Sequence, residues 1–157
     1  MHLTSHTDYA LRLLMLLALE PERLHTIEEI ARRNQVSRNH MMKVAQRLTQ
    51  SGFVSSVRGR SGGLRLSRPA AEICLGDVVR ATEEAFCIVE CFDPASDTCV
   101  VSRACRLRAV LNEATQAFLG VLDGYSLADL VAAPRVAANM RKLLSAPLPL
   151  AARRGRS

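Results

Sequence analysis

Four of the chain's five cysteines, Cys87, Cys91, Cys99 and Cys105, fall between Ala85 and Arg108. Between Cys91 and Cys105 stand Pro94, Ser96, Asp97, Thr98 and Ser102, which form turns rather than helices or strands. Three thiols, Cys91, Cys99 and Cys105, therefore hang on a loop that leads into a strongly amphipathic segment. A loop can fold its thiols around one point, as a metal ion or an iron–sulfur cluster requires. A lone free cysteine is as often a small buried hydrophobe, but a short polar loop offers little core to three of them. Zinc held by the same thiols and a fourth donor is the structural alternative. Cys87 competes with Cys91, since residues four apart share one face of a helical turn. Cys74, in the run Ile73–Asp77, reads as a buried turn or strand residue without chemistry. No C-x-x-C pair occurs, and His2, His6, His25 and His40 have no catalytic surroundings. Each histidine is expected at the surface, at a cap or against DNA, so no enzyme is expected.

Composition narrows the class. The chain has 157 residues, 48% hydrophobic and 23% charged, as befits a folded domain with a proper core. An odd cysteine count and the lack of a secretory signal argue for a cytoplasmic protein without a disulfide framework. The apolar run Leu13–Leu19 is too short to span a bilayer. The net charge of +6 is uneven: residues 1–68 carry eleven Lys/Arg against five Asp/Glu, whereas residues 69–152 carry seven against ten. The basic front half calls for an anionic partner, with nucleic acid the first choice. Tryptophan is absent and aromatics are only 4%, so no stacking platform for single strands is evident.

The elements that must position these groups follow in order. Residues 7–19 read as a helix apolar on nearly every side, hence buried, with Thr7 or Asp8 as its cap and Pro21 as its end. Thr26 and Glu29 form a capping box for a second helix that ends near Asn34. Ser37 caps a third, closed by Gly52, with Met41, Val44, Ala45 and Leu48 inward. Helix, short turn, helix is the DNA-reading arrangement. Ser37, Arg38, Asn39, His40 and Lys43 then face the major groove. Two strands, within Phe53–Gly59 and Leu64–Pro69, flank a tip carrying Arg58, Arg60 and Ser61. That hairpin is a wing, whose arginines suit phosphates or a narrow minor groove. After a seam at Pro69 comes a helix over Gly76–Glu84, then the cysteine loop.

The segment Ala104–Leu122 places Leu107, Leu111, Ala114, Phe118 and Val121 on one stripe. A monomer of this size has no use for so long an apolar stripe, so it predicts a two-fold homodimer. The fold expected is mainly α with a small β-wing. Residues 1–68 make a winged helix-turn-helix, 69–145 a cysteine loop and dimerisation helix, and 146–157 a disordered basic tail.

Several of these motifs together resemble the iron–sulfur winged-helix transcription regulators, in particular their nitric-oxide-sensing repressors. They are LTSHTDYALRLLM, VSRNHMMKVAQRL, VRGRSGGLRLSRP, CLGDVVRATE, CFDPASDTCVVSRACRL and YSLADLV. The resemblance implies a homodimeric repressor of double-stranded operator DNA with one [4Fe–4S] cluster per subunit, or alternatively a [2Fe–2S] cluster. Cys91, Cys99 and Cys105 match the cluster ligands, and Asp8 matches an aspartate that reaches the cluster of the opposite subunit. Nitric oxide attack on the cluster then releases the operator. Two departures stand out. The interval from Cys91 to Cys99 is longer than the family's common spacing. Related regulators of cluster supply carry a histidine just after the last cysteine, where this chain has Arg106, Leu107 and Arg108. That difference favours nitric oxide over cluster supply, iron or oxidants as the signal.

Overall fold

The computed structural model describes residues 2–59, 61–83, 86 and 88–145. At its centre lies α1 (Ser5–Leu19), in which Leu13, Leu14 and Leu16 are completely buried. Thr4, not Thr7 or Asp8, is the cap: its hydroxyl accepts from the Thr7 amide at 3.3 Å. Thr4, Thr7 and Asp8 all have capping side chains, and packing decides among them. Thr7 is packed inside the core, and the Asp8 carboxylate turns to Arg12 instead.

Thr26 caps α2 (Ile27–Asn34), accepting from the Glu29 amide. The reciprocal half of the expected box is missing because the Glu29 carboxylate pairs with Arg23 and Arg33. Gln35 ends α2 in the left-handed region at φ +56°, sending its N–H back to the last carbonyls and turning the chain into α3 (Arg38–Gln50). Ser37 caps α3, and Gly52 beyond its end has φ +75°, as expected of a residue free to be left-handed. Met41, Val44, Ala45 and Leu48 face inward against α1 and α2.

The wing is a two-stranded antiparallel sheet of β1 (Val54–Val57) and β2 (Gly63–Leu66), in register from Val54↔Leu66 to Val57↔Gly63. Its base is stitched to the chain ahead of α2: His25 donates to the Leu64 carbonyl at 3.2 Å and accepts from the Leu64 amide at 2.8 Å.

One apolar cluster continues across Pro69, taking in Ile73, Leu75, Val78 and Leu127 beside the leucines of α1. It carries α4 (Leu75–Thr82), α6 (Leu127–Val131) and α7 (Pro134–Ser145). A true capping box, Ser126 with Asp129, starts α6. The starts of α4 and α6 are joined by Leu75 N–H to Tyr125 and Leu127 N–H to Ile73. Arg141 of α7 donates twice to the Leu19 carbonyl, at 2.8 and 3.1 Å, satisfying the C-terminal end of α1. Between α4 and α5 (Arg106–Asp123) runs the cysteine loop, containing two single 3-10 turns, Glu90–Phe92 and Ser102–Ala104. The long helix therefore begins two residues later than its periodicity predicts, because the 3-10 turn takes Ser102–Ala104. It rests on α4, with Arg80 and Asp123 paired in bidentate fashion at 2.6 Å.

Candidate functional site

The reading face is assembled as its caps and periodicity require. Ser37, Arg38, Asn39, His40 and Lys43 are all exposed on the first turns of α3. Arg38 is charge-paired with Glu28 of α2, a pair that competes with any phosphate. The His40 ring lies 6.5 Å from the Tyr9 ring at an interplanar angle of 31°, so α1 steadies the start of the reading helix. Arg58 and Ser61 are exposed at the wing tip. Arg60 and Cys87 lie outside the described residues, as does the tail 146–157.

A buried charge cluster underlies the wing. His25, expected at the surface, a cap or DNA, is fully buried, with its Nε2 3.6 Å from Glu20 and its Nδ1 3.7 Å from Glu29. Neither ring nitrogen has a hydrogen-bond partner. Burial pushes its pKa below the usual histidine value, outweighing the pull of Glu20 and Glu29. Burial pushes Glu20 the other way, but the hydrogen bond and charge of Arg33, with help from Arg23, bring its carboxyl below the ordinary range. No sequence signal foretells this cluster; the bridge to Leu64 creates it.

Cys91, Cys99 and Cys105 are free thiols on one loop. Cys91 is only 8% exposed, so the loop does find core for one of them. Asp97 accepts from the Cys99 amide at 3.1 Å, and Asp93 holds Ala95 and Ser96 in a tight turn. Cys105 is the N-cap of α5, and its side chain makes no capping hydrogen bond to the first amides of that helix. A concave site of about 650 Å³ opens beside it, lined among others by Phe86, Phe92, Arg103 and Arg108. Among the described residues, no three His, Cys, Asp or Glu side chains converge on a point where a metal ion could sit. The donors fit a cluster in kind: three soft thiolates and a helix N-terminus that favours negative charge.

Asp8 shares no pocket with the loop thiols. It lines a groove of about 640 Å³ between α1, the turn after α2 and α7, with Tyr9, Arg12, Met15, Met140 and Leu143. The Arg12 guanidinium holds the carboxylate at 2.6 Å. None of the loop cysteines lines this groove. Cys74 is half-buried where α4 starts, with its thiol 3.8–3.9 Å from oxygens of Leu122 and Asp123.

The apolar stripe of the long helix finds little cover. Within α5 only Thr115 and Leu119 are buried; Leu107 is 61% exposed, Val110 50% and Val121 63%. Leu111 and Phe118 are half-buried and Ala114 is exposed.

Two residues missing from the sequence-derived site make long-range contacts near it. Arg47 of α3 donates to the Ala81 carbonyl at 2.6 Å, and Glu83 accepts from both the amide and the hydroxyl of Thr4. Nothing in their spacing marks them, because the partners lie 34 and 79 residues away.

Comparison with known proteins agrees with this architecture. The family model described as "Rrf2: Iron-dependent Transcriptional regulator" matches residues 3–133. The chain is 52% identical over 132 residues to the HTH-type transcriptional regulator NsrR of Bacillus subtilis (strain 168), covering 83% of this chain and 90% of that protein. Among solved structures, T. potens IscR superposes with a TM-score of 0.67 at 25% identity, covering 84% of this chain and 87% of that one. CymR, the global cysteine regulator of B. subtilis, gives 0.64 at 26% identity, covering 84% and 97%. The winged helix-turn-helix, the loop and the long helix are thus those of a transcription regulator rather than an enzyme, and the chain belongs to the Rrf2 family.

Proposed function

We propose that the chain is a homodimeric repressor that binds operator DNA through α3 and the wing and responds to nitric oxide through an iron–sulfur cluster. The observation that carries this reading is the set of three free thiols on the loop that enters α5, beside a basic reading head. Residues 1–68 serve as the reading head, and 69–145 as the part that senses and pairs.

Cys91, Cys99 and Cys105 would hold the cluster, with Asp8 of the partner subunit as a fourth donor. A bound cluster supplies iron that takes up small diatomic ligands; a hard carboxylate corner is the exchangeable one. The chain's own residues do the rest. Cys105 anchors one end of the loop to a helix whose first amides attract negative charge. Asp8 leaves Arg12 if it is to serve a cluster, so Arg12 is the group that reports on its engagement. The uncovered stripe of Leu107, Val110 and Val121 supplies the pairing seam, and pairing sets two reading helices at neighbouring half-sites.

Anaerobic reconstitution with iron and sulfide tests this. Brown protein with about four irons and four sulfides per subunit is expected for a [4Fe–4S] centre. Serine at Cys91, Cys99 or Cys105 should leave it colourless, whereas Asp8→Ala should stay coloured with an altered nitric oxide response. Colourless, zinc-containing protein would sink the cluster reading. Loss of operator binding with iron limitation or peroxide but not with nitric oxide would make the signal cluster supply or oxidants. A colourless Cys87→Ser with a brown Cys91→Ser would move the first ligand to Cys87.

A further inference from the structure

The short segment Ala81–Glu83 stands between the thiol loop and everything that reads DNA. The α4 helix ends there, with Glu83 as its C-cap, and the cysteines follow in the sequence. The Glu83 carboxylate accepts from the Thr4 amide at 2.8 Å and from the Thr4 hydroxyl at 3.1 Å. Thr4 is the cap of α1, so Glu83 places a negative charge at the N-terminus of the helix that carries Asp8. On the other side, Arg47 of α3 donates to the Ala81 carbonyl, one of the orphan acceptors at the C-terminus of α4. A cation there is favoured by the dipole of α4, just as the anion is favoured by that of α1. Thr82, between them, is buried, and its hydroxyl returns to the Val78 carbonyl at 2.9 Å. Three consecutive residues therefore tie the entrance of the sensing loop to the cap of α1 and to the reading helix.

We propose that Ala81–Glu83 is the link through which the cysteine loop sets the position of α3, with Glu83 and Arg47 as its positioning residues. The proposal rests on the reading of that loop as the cluster-holding segment. A change in the course of the loop beyond residue 83 pulls on the Glu83 carboxylate, and with it on the Thr4 cap and the Ala81 carbonyl. The three groups then respond as one two-state element, as coupling between distant sites requires.

The test measures operator affinity of full-length protein with and without its cluster, for wild type, Glu83→Ala, Glu83→Gln and Arg47→Ala. Wild type should show a ratio of about 5- to 150-fold, the usual size of such couplings. Glu83→Ala should bring that ratio to within about threefold of one while iron and sulfide content stay at the wild-type level. Glu83→Gln keeps an Oε1 acceptor and should restore most of the ratio. Arg47→Ala should collapse it too. If Arg47 were merely a phosphate contact, both states would weaken alike, the ratio would hold, and the salt slope would fall by about one unit. A second arm needs neither cluster nor DNA. In a Cys74→Ser background, carboxymethylation of the loop thiols should alter amide exchange in the first turn of α1 and along α3, and Glu83→Ala should abolish that response. Wild type that takes up no iron refutes the cluster reading alone, and the exchange arm then decides the link. A wild-type ratio together with a wild-type exchange response in Glu83→Ala and Arg47→Ala overturns the proposal.

Discussion

Gly63 is the joint between the wing and the chain ahead of α2, and adding one methyl group there should unseat it. A Cβ at Gly63 would lie 2.9 Å from the carbonyl oxygen of His25 and 3.0 Å from its carbonyl carbon and amide nitrogen. All three are backbone atoms, pinned by the two hydrogen bonds between His25 and Leu64. No flexible side chain can swing aside, so β2 must retreat by about half an ångström to reach ordinary contact. Overpacking of this kind costs about 1–3 kcal/mol, or roughly a 5- to 150-fold shift in the unfolding equilibrium. Gly120 is the matched control: it lies within α5 with nothing inside 4 Å of an added Cβ. Alanine there should instead stabilise by about 0.5–1 kcal/mol through helix propensity. The assay is urea unfolding of both variants at one fixed protein concentration, since pairing makes stability concentration-dependent. Operator affinity is then measured where Gly63→Ala remains folded, and it should fall because Arg58 follows Val57, the strand partner of Gly63, and moves with the hairpin. If Gly63→Ala unfolds and binds as wild type does, the His25–Leu64 stitch has slack and the wing is positioned elsewhere.

Three further outcomes follow from the same geometry. The unfolded chain takes a proton on His25 near pH 6.5, whereas burial keeps the folded form neutral to lower pH. Folding stability should therefore fall as pH drops below about 6.5, and His25→Gln should flatten that slope in pH-dependent unfolding. Leu111→Asp or Phe118→Asp places a charge in the proposed pairing seam and should cost several kcal/mol of association, on the order of a buried unpaired charge. Sedimentation that finds intact wild-type-like dimers for both would contradict the seam. Arg58→Ala should weaken operator binding and reduce the salt slope by about one counterion, and an unchanged slope would show that Arg58 does not touch phosphate.

The reading head was legible because its signals are local. Thr26 and Ser37 each accept from an amide three residues on, and the 3.6-residue spacing of Met41, Val44, Ala45 and Leu48 sets the inner face without help from elsewhere. The first cap was misjudged for an equally local reason. Thr4, Thr7 and Asp8 all have capping chemistry, and only packing shows that Thr7 goes inside. His25 was invisible because a histidine between Leu24 and Thr26 is buried only by a strand 39 residues later. The thiol loop lies between these extremes. Its residue types announce soft-metal chemistry, but a loop has no period, so nothing in the spacing says that Cys91 tucks inward or that Cys105 heads the long helix.

The bond from Arg141 to Leu19 bears on how the chain is made. The most apolar helix, α1, is synthesised before its walls, which arrive with α2, α3, Ile73, Val78 and Leu127, and its last carbonyl is satisfied by a residue 122 positions on. A nascent chain released short of α7 would hold a helix of exposed leucines with an unclosed end, the kind of surface that aggregates or is held by chaperones. Long-range closure of this sort also slows folding. The reading face thus leans on residues far along the chain, and a chain cut within the thiol loop is expected to bind operator DNA poorly.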